Sequence, residues 1–205
     1  MEAIVRHKPV AKLSRGLGLP LTEKAVKYFE KRPYPPGPHG RGRRNPSPYK
    51  LRLLEKQRLR FQYHISEKQL RRAFEDADRG DGRTGHLLIE DLETRLDAAV
   101  LRAGFARTIY QARQFVGHGH IQVNDRRVDR PGYRLEVGDV VTVSPRSRRM
   151  APFLLAVEGP APRVSPPPYL EVDRQALLAV LARRPSRPEI PVTCDEQLVV
   201  EYYAR

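Results

Sequence analysis

The fold turns on one stretch, TIYQARQFVGHGHIQVNDRRVDRPG, running from Thr108 to Gly132. It opens with a helical rhythm. Ile109, Ala112 and Val116 share one face, with Phe115 beside them. On the other side Arg107, Gln111, Gln114 and His118 follow at steps of four, three and four, which makes one polar stripe. The stripe holds a cation, two amides and an imidazole, and no acid. A merely solvated face competes with a binding face here, but solvated faces usually mix both signs. Gly117 stops the helix, and residues 120–123 alternate as a half-buried strand. Asn124-Asp125 is a tight-turn signal, weaker than Asn-Gly because Asp tolerates positive φ less well. Arg126, Arg127 and Arg130 lie at or just past the hairpin tip, where they and the helix stripe could flank one groove.

Upstream, residues 86–103 read as one helix, with Leu88, Leu92, Leu96 and Val100 at a spacing of four and Gly104 as its stop. Residues 50–78 read as two helices. Leu51, Leu54, Leu59 and Phe61 mark the buried side of the first, and Arg52, Lys56, Arg58 and Arg60 its wet side. Ser66 with Gln69 three residues on is a capping-box pattern opening the second. Downstream, Pro131-Gly132 and Gly138-Asp139 are turns around a strand at Val140–Val143. Tyr169–Val172 reads as a strand and Gln175–Arg183 as a helix ended by Pro185 and Pro188, while apolar Leu198–Tyr203 packs back on the body.

The first 49 residues look different. KRPYPPGPHGRGRRNPSPYK is crowded with Pro, Gly and cations, which suits either a disordered tail or an extended arm that orders on a nucleic acid. Tyr34, His39 and Tyr49 lie among the cations, where a ring could stack on a base.

Charge narrows the partner. The 205 residues carry a net +14, and a dense phosphate backbone is the partner that such an excess suits. Residues 1–72 hold 19 Lys and Arg against 5 Asp and Glu; the rest balance at 19 Arg and 19 acids, and no lysine follows Lys68. An all-arginine remainder fits a GC-rich genome or arginine's bidentate grip on phosphate. No apolar run approaches a membrane span, and the first residues lack the apolar centre of a signal peptide. Cys194 is the only cysteine, so an internal disulfide and a cysteine-built zinc site are both excluded. His118 and His120 have the His-x-His spacing of a metal pair, but no third ligand lies near in sequence and their glycine neighbours suit a turn. No Gly-rich phosphate loop and no nucleophile motif around Cys194 supports an enzyme.

LETRLDAAVLRAGFARTIYQARQFVGHGHIQVNDRRVD resembles the RNA-binding module named after small-subunit ribosomal protein S-four. RPYPPGPHGRGR, YKLRLLEKQRLRFQYHISEKQLRR, YLEV and EQLVVEYY are similar, in order, to other parts of that ribosomal family, so the resemblance spans nearly the whole chain. A pseudouridine synthase, a synthetase tail or a heat-shock RNA-binding factor can carry the module, but the remaining chain leaves no room for a catalytic domain. A DNA-binding helix bearing Arg and Gln is a further rival.

The resemblance implies an α+β fold: an extended basic arm (1–45), a helical domain (46–91, with 191–205 packed on it) and a domain (92–190) whose core, 92–145, is two helices on a small, twisted, mostly antiparallel sheet. It implies a bacterial-type, zinc-free member with no cofactor, a non-enzymatic constituent of the small subunit in the cytoplasmic ribosome. Such a member binds the 5′ domain of 16S rRNA at a helix junction and nucleates assembly of the body. It adjoins neighbouring ribosomal proteins and the channel by which messenger RNA enters, contributing there to translational accuracy. The expected RNA contacts are Arg41, Arg43 and Arg44 from the arm; Tyr49, Lys50, Arg52, Lys56 and Arg60 from the first helix; Arg95 and Arg102; the stripe of Arg107, Thr108, Gln111, Gln114 and His118; and Arg126 and Arg127 of the hairpin. Helix-start amides of the stripe would add to these, because helix N-termini attract phosphate.

Overall fold

A computed structural model describes residues 9–42, 45–159 and 165–204. Its helices are α1 (Val10–Leu17), α2 (Glu23–Lys31), α3 (Pro48–Gln62), α4 (Glu67–Asp78), α5 (Thr84–Glu93), α6 (Leu96–Arg102), α7 (Ile109–Gly117), α8 (Ala151–Glu158) and α9 (Glu196–Tyr203). Its strands are β1 (Ile121–Val123), β2 (Arg126–Arg127), β3 (Val140–Val143), β4 (Leu170–Asp173) and β5 (Leu178–Leu181). The chain divides into two units, one of Met1–Gln62 with Thr193–Arg205 and one of Tyr63–Val192, so the 46–91 segment read as one helical domain is shared between them.

In the first unit α3 is the spine. α9 lies along it, joined by polar clasps: Thr193 N–H donates to Gln62 Oε1 (3.1 Å), Gln62 Nε2 donates to the Thr193 carbonyl (2.9 Å), and Asp195 N–H donates to Glu55 Oε2 (3.1 Å). Arg52 pairs with Glu201 at 2.7 Å. The basic N-terminal segment is not wholly extended: α1 and α2 pack on each other, and α1 meets α3. Both helices precede the Pro/Gly cluster that follows residue 32. Thr22 caps α2 by accepting from Ala25 N–H (3.3 Å), and buried Ser14 accepts from Leu21 N–H (3.1 Å). Arg15 Nε donates to the Arg32 and Tyr34 carbonyls, each at 3.0 Å, and so ties the proline-rich segment to α1.

The second unit holds a five-stranded antiparallel sheet in the order β2-β1-β3-β5-β4. α6 and α7 pack together, and Leu88, Leu96, Val100, Ala112, Val116, Ile121, Val143, Phe153 and Ala179 are buried in its core. The capping box at Ser66 and Gln69 is formed. Asn124 and Asp125 both take positive φ, 49° and 62°, as the tight hairpin requires.

Two elements differ from the sequence reading. The helix expected over 86–103 is broken between α5 and α6, where Arg95 is extended (φ −65°, ψ 142°). The 130–135 turn causes the break by claiming the backbone groups there: Leu96 N–H donates to the Tyr133 carbonyl, Asp97 N–H to that of Pro131, and Leu135 N–H to that of Thr94. The helix expected over 175–183 is strand β5. Asp173 accepts from Gln175 and Ala176 N–H in a turn, Leu177 flips to φ 50°, and pairing with β3 and β4 on both edges overrides the helical periodicity.

Candidate nucleic-acid interface

The corner where α7 meets the β1–β2 hairpin lies wholly within the second unit. Thr108 caps α7, its hydroxyl accepting from Gln111 N–H (3.2 Å), while Gln111 Oε1 accepts from Arg107 N–H (2.8 Å). These two residues therefore satisfy local helix-start donors that the sequence reading assigned to phosphate. Arg107, Gln114 and His118 stay exposed along the stripe, and Gln111 and Thr108 are half-buried.

After α7 the chain turns at Gly119, with φ 74°. A Cβ there would collide with the Arg127 guanidinium, so the glycine serves both the backbone and the seating of that arginine. Arg126 and Arg127 are exposed on β2. His120 packs edge-on to Phe115 and Phe153, and its Nδ1 lies 2.9 Å from Ser147 Oγ. Burial, reinforced by His118 and Arg127, pushes the His120 imidazole below its ordinary value. The shift disfavours the charged form of that ring.

Beneath this surface two acids are fully buried. Asp97 accepts from Arg95 at both oxygens (2.9 and 2.8 Å), from Arg113 at 2.7 Å and from Ala98 N–H at 3.0 Å. Glu93 accepts from Tyr63 (2.5 Å), Tyr169 (2.6 Å) and Arg102 (2.5 Å). Burial alone would raise the Glu93 carboxyl, but the Arg102 charge and these three donors outweigh it and hold the group below its ordinary value. The same site drives the Tyr63 and Tyr169 phenols well up, through burial first and the Glu93 charge second.

Arg95 is 4% exposed and Arg102 half-buried, so both are internal counterions and do not extend an outer cationic surface. The clue was their short-range partners, Asp97 two residues beyond Arg95 and Glu93 nine before Arg102. Arg113, half-buried against Asp97, was not singled out from the sequence.

The expected contacts of the first unit fare unevenly. Tyr49 and Lys50 are exposed, whereas Arg52 is taken up by Glu201. Lys56 is 3% exposed beneath the Tyr202 ring, 4.5 Å from its centroid, and Arg60 lies at 4.5 Å over Phe61. Arg41 is exposed and donates to the Tyr34 hydroxyl (3.0 Å), with that ring also within 5.0 Å of Arg15. Arg43 and Arg44 lie outside the described residues. Among the described residues, no three His, Cys, Asp or Glu side chains cluster as a metal site would need, and no helix is long and apolar enough to cross a membrane.

Two family models match the chain. Residues 6–93 match the ribosomal protein S4/S9 N-terminal domain, and residues 94–141 match the S4 domain. Curated relatives are similar over full length. One from Streptomyces avermitilis, named small ribosomal subunit protein uS4, is 61% identical over 201 residues, 98% of each chain. One of the same name from Streptomyces coelicolor is 60% identical, covering 97% of this chain and 98% of its own. One from Beutenbergia cavernae, again so named, is 56% identical over the whole of both chains.

Proposed function

The chain belongs to the small ribosomal subunit protein uS4 family, whose members are ribosomal structural proteins and not enzymes, and on that basis we propose that it binds 16S rRNA within the cytoplasmic small subunit. The RNA site we assign is the α7–hairpin corner, with the exposed N-terminal cations as a second contact. The target is a helix junction in the 5′ domain, and binding there nucleates assembly of the body. Neighbouring ribosomal proteins adjoin the bound chain, and its proximity to incoming messenger RNA contributes to accuracy.

The observation that carries this is the corner's composition. Arg107, Gln114, His118, Arg126 and Arg127 are exposed there beside two exposed hairpin acids, Asp125 and Asp129, whereas Glu93 and Asp97 are buried and internally neutralised. Such a surface offers donors to phosphate and ribose. A-form RNA keeps its base edges in a deep groove, so recognition falls to backbone shape and phosphate spacing. Arg95, Arg102, Lys56 and Arg52 serve the fold and lie outside the contact set.

Footprinting on the 5′ domain of 16S rRNA, at two salt concentrations and with excess duplex DNA, tests this. Protection of one junction, resistant to DNA, is expected. With about 6–10 phosphates engaged, affinity should fall roughly 10³–10⁵-fold between 50 and 200 mM salt. Binding swept away equally by DNA would reduce the chain to a general polyanion binder.

A further inference from the structure

The turn that follows β3, Ser144-Pro-Arg-Ser-Arg-Arg-Met150, carries three arginines and no acid. None of them belongs to the stripe or the hairpin. The fold nevertheless brings their loop to the same corner. Ser144 N–H donates to the His120 carbonyl at 2.8 Å, and Ser147 Oγ sits 2.9 Å from His120 Nδ1, so two groups of one histidine hold the loop. Ser147 is 6% exposed while Arg146, Arg148 and Arg149 around it are exposed: the serine points in and the arginines point out. Arg148 Nε donates to the Val143 carbonyl at 3.1 Å, which holds one edge of that guanidinium against the end of β3. Internal bonds Ser147 N–H to Ser144 and Met150 N–H to Ser147 tighten the turn. His120 is next to Gly119, over which the Arg127 guanidinium lies, so the loop and the hairpin converge on one two-residue hinge.

We infer that Arg146, Arg148 and Arg149 form a further RNA-backbone contact, a ridge that grips phosphates continuous with those at the α7–hairpin corner and is held in place by Ser147 on His120. The inference rests on the RNA-binding reading of that corner and adds a contact to it. Phosphate is the ligand chemistry because the ridge has three guanidiniums, each able to fork onto an anionic group, and no acid within it. An RNA strand is the source because the adjoining exposed side chains, Arg127 and His118, carry the ridge into the corner assigned to RNA. His120 and Ser147 are positioning residues.

The test uses the full chain and the 5′ domain of 16S rRNA across a salt series. R146A/R148A/R149A should lower the slope of log affinity against log salt by about two to three units, at roughly 0.7–0.9 unit per phosphate. Footprinting should lose one protected backbone segment and keep the rest. R146K/R148K/R149K should restore most of the slope, since a point charge still neutralises phosphate. S147A keeps every charge, and should weaken the same segment's protection alone. A control, R71A/R72A/R79A at exposed positions on α4 and its C-cap, removes equal charge elsewhere in the unit and should leave the footprint intact. An unchanged slope and footprint in the triple variant, with wild-type binding intact, would overturn the ridge and leave an acidic protein segment as its occupant. If the control matched the triple variant, net charge alone would be the cause and the ridge would equally fall. Failure of the wild-type chain to bind would instead sink the reading on which the ridge depends.

Discussion

The N-terminal 72 residues carry the entire net charge, and the remaining 133 carry none, yet the latter region also holds clusters of exposed arginine. In the first region, much of the excess serves architecture. Arg15 ties a proline-rich segment to a helix, Arg52 pairs with Glu201, and Lys56 lies buried beneath Tyr202. In the second, neutrality by count hides a clustering in place. Asp97 consumes Arg95 and Arg113 in the interior and Glu93 consumes Arg102, while exposed arginines gather on the hairpin, beside Asp125 and Asp129, and on the loop after β3. Net charge along a sequence therefore predicts the class of partner better than it predicts where the partner sits.

Several variants would break or sharpen that contrast. The largest effect should come from D97N. It strands buried Arg95 without its counterion, and removing one member of such a pair costs about 3–5 kcal/mol. Urea unfolding should show it, and a loss below 1 kcal/mol would mean the interior acids do not organise the unit.

E93Q should follow, with a pH signature. Because the Glu93 carboxyl is lower in the folded chain than in the unfolded one, the native state binds fewer protons. Its contribution is present above the ordinary carboxylate range and is lost as pH falls through the lowered folded value. E93Q should be less stable near pH 7 and have a shallower acid limb. Parallel acid limbs would contradict the assignment of charge to Glu93.

G119A should cost about 1–3 kcal/mol through its positive φ, and by displacing Arg127 it should weaken RNA binding beyond any loss of folded protein. Calorimetry paired with a binding isotherm separates the two effects. T108A, which removes only a cap, should cost about 1 kcal/mol in thermal unfolding with RNA contacts kept.

Local chemistry was legible in the sequence. Ser66 with Gln69, Asn124-Asp125 and the Gly104 and Gly117–Gly119 stops describe short-range geometry, which a few residues determine. The stripe on α7 was equally readable, because one helix face is fixed by spacing. What escaped was decided by distant partners. β5 looked helical until two neighbouring strands claimed its backbone, and Arg95 looked exposed because the folding of 130–135 onto the α5–α6 break was not visible. The arginines of 146–149 escaped for the same reason, since only the packed position of His120 connects them to the corner.

The clasp between α3 and α9 also has a consequence in time. Gln62 and Thr193, its hinge points, are separated by the 130 residues of the second unit. At about 5–20 residues per second, α3 is made roughly 7–26 seconds before its partner. The second unit, continuous in sequence, can mature first. The first must hold its α9-facing side exposed through that interval, so synthesis order alone makes the second unit the earlier of the two to be complete.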